Sequence, residues 1–237
     1  MLFRSKKALD TDLARPKFAI MNPEITYTLP DYQTQCGCAD IMMHTMERYF
    51  VLEDTMEITD KIAQDVMKNV MKYAKILKKD PENYEARAEI MWCGSLSHNG
   101  LTGCGTCGGD WATHLIEHEL GGMFDVAHGA GLAAVWGSWA RYVMDEKPER
   151  FAQFAVDVMG VEESDDVKST ALKGIEAVEE FYRMIEMPTN MKELGINPTD
   201  EQIKDMAMKA TNHDTQQLGA FKKLSAKDLV EIYKTAK

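Results

Sequence analysis

Apolar residues recur along this chain at spacings of three and four. Ile62, Val66, Val70, Tyr73 and Leu77 fall on one face of a helical wheel, which predicts an amphipathic helix there. The same periodicity predicts further helices at about 31–52, 82–98, 111–122, 129–144, 148–159, 165–186, 199–211 and 225–236. Breaks are expected at Asp80-Pro81, Glu186-Met-Pro188 and Asn197-Pro198, because proline removes a backbone donor and crowds the preceding turn. Thr199 and Ser225 stand where N-caps belong, followed three residues later by Gln202 and Asp228, the spacing of a capping box. One segment departs from the pattern. Residues 17–21, KFAIM, form a short apolar, partly β-branched run closed by Asn22-Pro23, and Thr28-Leu29-Pro30 follows, which predicts one strand and a loop. A lone strand leaves its backbone polar groups unpaired, so this one is expected to join a sheet elsewhere or to pair with a second copy. No internal repeat, low-complexity tract or flexible linker interrupts the rest. The expected organisation is mainly α: a short N-terminal strand remnant of another domain within 1–30, then one helical domain over 31–237.

Charge and cysteine usage narrow the classes. With 27 basic against 38 acidic residues and a net charge of -11, a surface seeking nucleic-acid phosphates is disfavoured. Long uninterrupted apolar runs are missing, and MLFRSKKALDTDLARPKF offers no stretch suited to secretion, so no membrane partner and a cytoplasmic location are expected. Five cysteines, an odd number, argue against a disulfide framework and for reduced thiols. Cys104-Gly-Thr-Cys107 has the spacing of half a zinc ribbon, but the only other close pair is Cys36-Gly-Cys38, which would need an odd geometry.

The candidate chemistry lies in the histidines. Asp40 and His44 are four residues apart on a predicted helix, which stacks a carboxylate and an imidazole on one face. Alone, that pair is as well explained by Asp40 orienting His44. With His114, His118 and His128, however, four of the six histidines could converge, leaving His98 and His213 outside the set. On one straight helix, the 14 residues from His114 to His128 would span roughly 21 Å. Two imidazoles at about 2.1 Å from one ion cannot bridge that, so the chain must turn between them, and Gly121-Gly122 followed by Asp125 offers the place. One carboxylate and up to three imidazoles suit Fe²⁺ or Zn²⁺. Such an ion would polarise an alcohol or carbonyl oxygen, and a hydride acceptor would have to come from outside the chain.

Two short patterns point elsewhere. His114-Leu-Ile-Glu117-His118 matches H-x-x-E-H, in which both histidines bind zinc and the glutamate is general base of a peptidase, yet this leaves Asp40, His44 and His128 unemployed. Gly103-Cys-Gly105-Thr-Cys-Gly108 matches G-x-G-x-x-G, but residues 86–98 read as helix rather than as the buried strand that a dinucleotide fingerprint needs.

Taken together, Gly37-Cys-Ala-Asp40-Ile-Met-Met-His44 and the run from His114 to Gly129 resemble the metal-binding half of group III iron-containing alcohol dehydrogenases, in particular the butanol dehydrogenase-like branch. Asn22-Pro23-Glu24, Asn99-Gly-Leu-Thr-Gly103 and Gly219-Ala-Phe-Lys222 share the resemblance, which covers nearly the whole chain. It implies the helical C-terminal domain of the iron-containing alcohol dehydrogenase and dehydroquinate synthase-like fold, the other domain of such enzymes being an N-terminal α/β unit that binds NAD(P). It also implies that Asp40, His44, His114 and His128 ligate Fe²⁺, with Zn²⁺ as the alternative, and that His118 lies near nicotinamide and substrate as a catalytic group without binding metal. The implied activity is NAD(P)-linked interconversion of primary alcohols and aldehydes. Most of the dinucleotide domain is missing by this reading, KFAIM being its last strand. A homodimer formed through the orphan strand and the exposed former domain interface is expected as one partner, and a non-catalytic helical module complemented by a separate dinucleotide-binding polypeptide is the competing expectation. Cys36 and Cys38 replace the small residues common in relatives, a mild change that keeps Asp40 in register.

Overall fold

The computed structural model describes residues 11–53 and 57–237, so residues 1–10 of the predicted N-terminal segment lie outside the described residues. Among the described residues nine α-helices follow one another: α1 (Asp31–Tyr49), α2 (Glu57–Lys79), α3 (Tyr84–His98), α4 (Ala112–Phe124), α5 (His128–Val143), α6 (Pro148–Asp157), α7 (Val167–Met184), α8 (Asp200–Ala210) and α9 (Ala226–Ala236). Each corresponds to a helix predicted from periodicity. Both predicted capping boxes are formed, Thr199 with Gln202 and Ser225 with Asp228. No helix among the described residues is long and apolar enough to cross a membrane.

The predicted strand is not there. Residues 17–21 have no regular structure, and Phe18 and Ile20 are 80% and 84% exposed. A strand is stable only when a neighbour pairs its N–H and C=O groups, and among the described residues the sole bridge is the isolated Leu218–Leu224 pair. Pro23–Thr26 then makes a single 3₁₀ turn, capped by Asn22 Oδ1 accepting from the Glu24 amide.

Helix α5 is the axis of the molecule. Every residue from Gly129 to Ala140 is buried, because α1, α4, α7 and α9 pack around it. Its closest approach is to α1: a Cβ added at Gly129 would lie 2.0 Å from the Cys36 carbonyl oxygen. Only glycine permits that contact. Farther along α5, Trp136 and Trp139 meet Phe50, which stacks on Phe151 with centroids 4.3 Å apart. Arg150, 5% exposed, locks this end: its guanidinium donates to both Asp60 carboxylate oxygens at 2.6 and 2.7 Å and to the Tyr49 carbonyl. A buried charge with a bidentate partner and a satisfied second donor face ties α6 to α1 and α2.

Candidate metal centre

The contact at Gly129 sets the site, since His128 immediately precedes it and Asp40 lies one turn beyond Cys36 on α1. Asp40 and His44 occupy the same face of α1, with Asp40 Oδ1 3.7 Å from His44 Nε2. Helix α4 brings His114 Nε2 to 3.7 Å from the same oxygen, and the start of α5 brings His128 Nε2 to 3.5 Å. Thus the four residues expected to share an ion converge on one carboxylate oxygen. The reversal between α4 and α5 falls at Asp125, the last residue of the stretch expected to hold it. Gly121 and Gly122 stay inside α4, and Asp125 makes the turn with φ of 58°. Gly121 and Gly131 instead make room for Glu117, whose side chain a Cβ at either position would meet at 2.7 and 2.8 Å.

These separations are too long for hydrogen bonds, and Asp40 Oδ1 and His114 Nε2 are buried without a hydrogen-bond partner. Two donors each about 2.1 Å from a tetrahedral ion stand about 3.4 Å apart, close to the spacing found here. Donor atoms of Asp40, His44 and His114 also lie within 4.8 Å of one another, so these three fit a divalent ion in distance and in donor chemistry, and His128 adds a third imidazole beside the same Asp40 oxygen. Burial would raise the Asp40 carboxyl, but the surrounding imidazoles, His114 and His98 foremost, hold it well below the usual carboxylate range. His44 is pushed down to about 3 by burial and by the charge of His114, which leaves it neutral. Burial opposes protonation of His114 too, yet Asp40 and Glu47 hold it up to about 9.

Two buried carboxylates orient the imidazoles from behind. Glu47, 2% exposed, accepts from the His114 Nδ1 and backbone N–H at 3.0 Å each and from the Trp111 N–H at 2.7 Å. Glu117, wholly buried, contacts His128 Nδ1 through Oε2. With Nδ1 so engaged, Nε2 of each ring faces the shared point, the carboxylate–histidine arrangement common behind metal ligands. The H-x-x-E-H peptidase reading fails on this geometry, because Glu117 is sealed from solvent and committed to His128. Trp111 begins α4 with φ of 64°, held by Glu47 and by its indole N–H donating to the Gly108 carbonyl. Arg48 lies over its ring at 4.6 Å.

His118 sits beside the four, its ring 5.6 Å from His128 and 6.5 Å from His114. His213 lies in an exposed turn. His98, left outside by its sequence position, is in fact at the site: its ring lies against that of His44, centroids 3.8 Å apart and planes tilted by 31°. Nothing in the spacing announces it, since it arrives by the packing of α3 on α1. Cys104 and Cys107 are exposed, Cys36 and Cys38 buried, and no cluster of metal-capable groups among the described residues includes a cysteine. The glycine-rich segment 103–108 follows a helix and a 3₁₀ turn, not a strand.

The helical body is shared with solved dehydrogenases. The crystal structure of NADH-dependent butanol dehydrogenase A from Thermotoga maritima superposes with a TM-score of 0.89 at 34% identity, over 96% of this chain and 58% of that one. NADH-dependent butanol dehydrogenase A of Clostridium acetobutylicum is 34% identical over 97% of this chain and 58% of its own length. The NADPH-dependent aldehyde reductase YqhD of Escherichia coli is 31% identical over 98% and 59%. This chain thus spans a little under three fifths of the relatives it matches. Its fold is the C-terminal helical domain of these enzymes. Residues 34–237 match the C-terminal model of the Fe-containing alcohol dehydrogenase family, and the chain belongs to that family.

Proposed function

We propose that residues 31–237 form the metal-holding catalytic half of an NAD(P)-linked enzyme interconverting primary alcohols and aldehydes, with Asp40, His44, His114 and His128 as ligands of Fe²⁺, Zn²⁺ being the alternative. The observation that carries the reading is Asp40 Oδ1, buried without a hydrogen bond among three imidazole Nε2 atoms at 3.5–3.7 Å. The names of the relatives support the substrate class and the nicotinamide cofactor. When bound, the ion supplies Lewis acidity at the alcohol or aldehyde oxygen, and a nicotinamide accepts or returns the hydride.

The chain's own residues do the rest. Glu47 and Glu117 fix which nitrogen of His114 and His128 faces the site. His118, half-buried and outside the ligand set, is the catalytic group that passes the hydroxyl proton between substrate and solvent. Residues 1–30 are read as the end of a dinucleotide-binding α/β domain. The exposed Phe18, Ile20 and Ile25 side chains offer a surface on which such a domain, or a second copy of this chain, packs. The free cysteines support a cytoplasmic location.

Metal content by elemental analysis, after anaerobic purification and reconstitution with Fe²⁺ or Zn²⁺, tests the ligand set. One equivalent is expected in the unaltered chain and in His118→Ala, with most of it lost in His44→Ala and His128→Ala. Retention in those two variants with loss in His118→Ala would sink the assignment.

A further inference from the structure

Cys104 and Cys107 are both exposed, and the loop that carries them is tightly curled. The Thr106 N–H donates to the Gly103 carbonyl at 3.3 Å, Cys104 has φ of -61° and ψ of 128°, and Gly105 has φ of 86°. Together these make a type II turn with Cys104 at its second position. The Thr106 hydroxyl closes it from the side, donating to the same carbonyl at 2.8 Å and accepting from the Gly108 N–H at 3.2 Å, so the chain keeps curling around Cys107. Both ends are pinned. The Cys104 carbonyl accepts from the Thr59 hydroxyl at 3.0 Å, and the Gly108 carbonyl accepts from the Trp111 indole N–H at 3.0 Å. The thiols themselves are barely engaged: Cys104 Sγ lies 3.7 Å from the Gly100 carbonyl oxygen and Cys107 Sγ 3.9 Å from that of Gly109.

We propose that Cys104 and Cys107 are a redox-active dithiol, which closes to a disulfide by exchange with small disulfides of the glutathione class. One cysteine thiolate attacks a sulfur of the small disulfide, forming a mixed disulfide and releasing one small thiolate. The other cysteine thiolate then attacks the protein sulfur of that mixed disulfide and releases the second. Each cysteine gives its proton to one departing thiolate, so the protein loses two hydrogens and the small disulfide becomes two thiols. The two-residue spacing is that of dithiol–disulfide couples, and Gly105 between the cysteines leaves the ring a backbone that can adjust. A metal is the other use for such a pair. Among the described residues, however, neither thiol belongs to a group of three metal-capable side chains, so a four-coordinate ion would be short of donors, whereas a disulfide needs only the two. Burial of Cys36, Cys38 and Cys93 confines the exchange to this loop. In a reducing compartment the couple rests as the dithiol and closes only when small disulfides accumulate. The loop adjoins the candidate metal centre, because the Trp111 ring that Gly108 holds stands edge-on to His44 and His114, with centroids 5.4 and 5.3 Å away. Oxidation would thus mark the chain beside that centre without consuming any of its ligands.

The test is intact-mass spectrometry of the chain, unaltered and as Cys104→Ser and Cys107→Ser, after anaerobic equilibration with mixtures of reduced and oxidised glutathione and an acid quench. Both positions are exposed, so the variants should fold. The unaltered chain is expected to lose two hydrogens without gaining glutathione, with digestion linking Cys104 to Cys107 and dithiothreitol reversing the change. Each variant lacks the second thiol and should stop at a mixed disulfide carrying one glutathione. The ratio of oxidised to reduced protein should fall with the square of the reduced glutathione concentration in the unaltered chain and with its first power in the variants. Glutathione retained on both cysteines of the unaltered chain would overturn the proposal, by showing two independent thiols. Failure to react at all, or a link from either residue to Cys36, Cys38 or Cys93, would overturn it too.

Discussion

Gly129→Ala is expected to destabilise this chain by about 4 kcal/mol or more, or to prevent its folding. The added methyl would sit 2.0 Å from the Cys36 carbonyl oxygen, 2.7 Å from its carbon and 2.9 Å from its Cα. All three are backbone atoms of α1, so no side chain can swing aside. Relief requires α1 and α5 to separate along their length, which opens the core around Met42, Met43 and Leu132. It also moves His128 away from Asp40, so metal uptake falls with stability. Gly37→Ala is the control on the same helix pair: nothing lies within 4 Å of a Cβ there, and replacing a mid-helix glycine with alanine should add roughly 0.5–1 kcal/mol. Urea unfolding of the two variants measures both. A Gly129→Ala midpoint close to that of the unaltered chain would show that the helix spacing is adjustable after all.

Glu47→Ala is expected to cost about 3–5 kcal/mol and to weaken metal binding roughly 10- to 100-fold. The carboxylate accepts from three N–H groups in a dry place, two of them from His114 and one from the strained Trp111. Alanine leaves all three bare and frees the His114 ring to rotate. The loop before α4 loosens as well, although the Asp110 amide still reaches the Glu47 backbone carbonyl. Glu47→Gln restores one acceptor oxygen and should recover part of the stability. Its affinity should stay lower, because a neutral amide no longer strengthens the imidazole as a donor. Thermal unfolding gives the first quantity and competitive chelator titration the second. Equal affinities for Glu47→Gln and the unaltered chain would mean that only the shape of the side chain matters.

What could be read from the sequence, and what could not, divides along locality. The helices and their caps are local: Ile62 to Leu77 repeat at helical spacing, and Thr199 reaches Gln202 three residues away, so both were legible. Asp40 with His44 was legible for the same reason. The KFAIM segment has strand-like residues, but a strand exists only by pairing, and no pattern within the segment supplies the partner. Gly121-Gly122 was read as part of the stop because glycine often ends helices; here Gly121 clears space for the Glu117 side chain, a requirement set by packing between α4 and α5. Glu47 and His98 were missed because each acquires its role across the packing of separate helices, Glu47 on the turn before α4 and His98 against α1.

The burial of α5 on every side has a consequence for motion. Its amides from Leu132 to Ala140 are shielded by four neighbouring helices, so no partial opening can wet them without dismantling the core. Under native conditions their hydrogen–deuterium exchange is expected to be the slowest in the chain and to proceed through complete unfolding, while amides near Asp80 and Gly160 exchange through small local openings. Mass spectrometry of peptides from α5 therefore reads the global free energy directly. Faster exchange there than in α2 would show that the axis is less rigid than its surroundings. His128 stands at the first turn of this slow helix and His98 at the exposed C-terminal end of another, so the site joins the most enclosed part of the molecule to its surface.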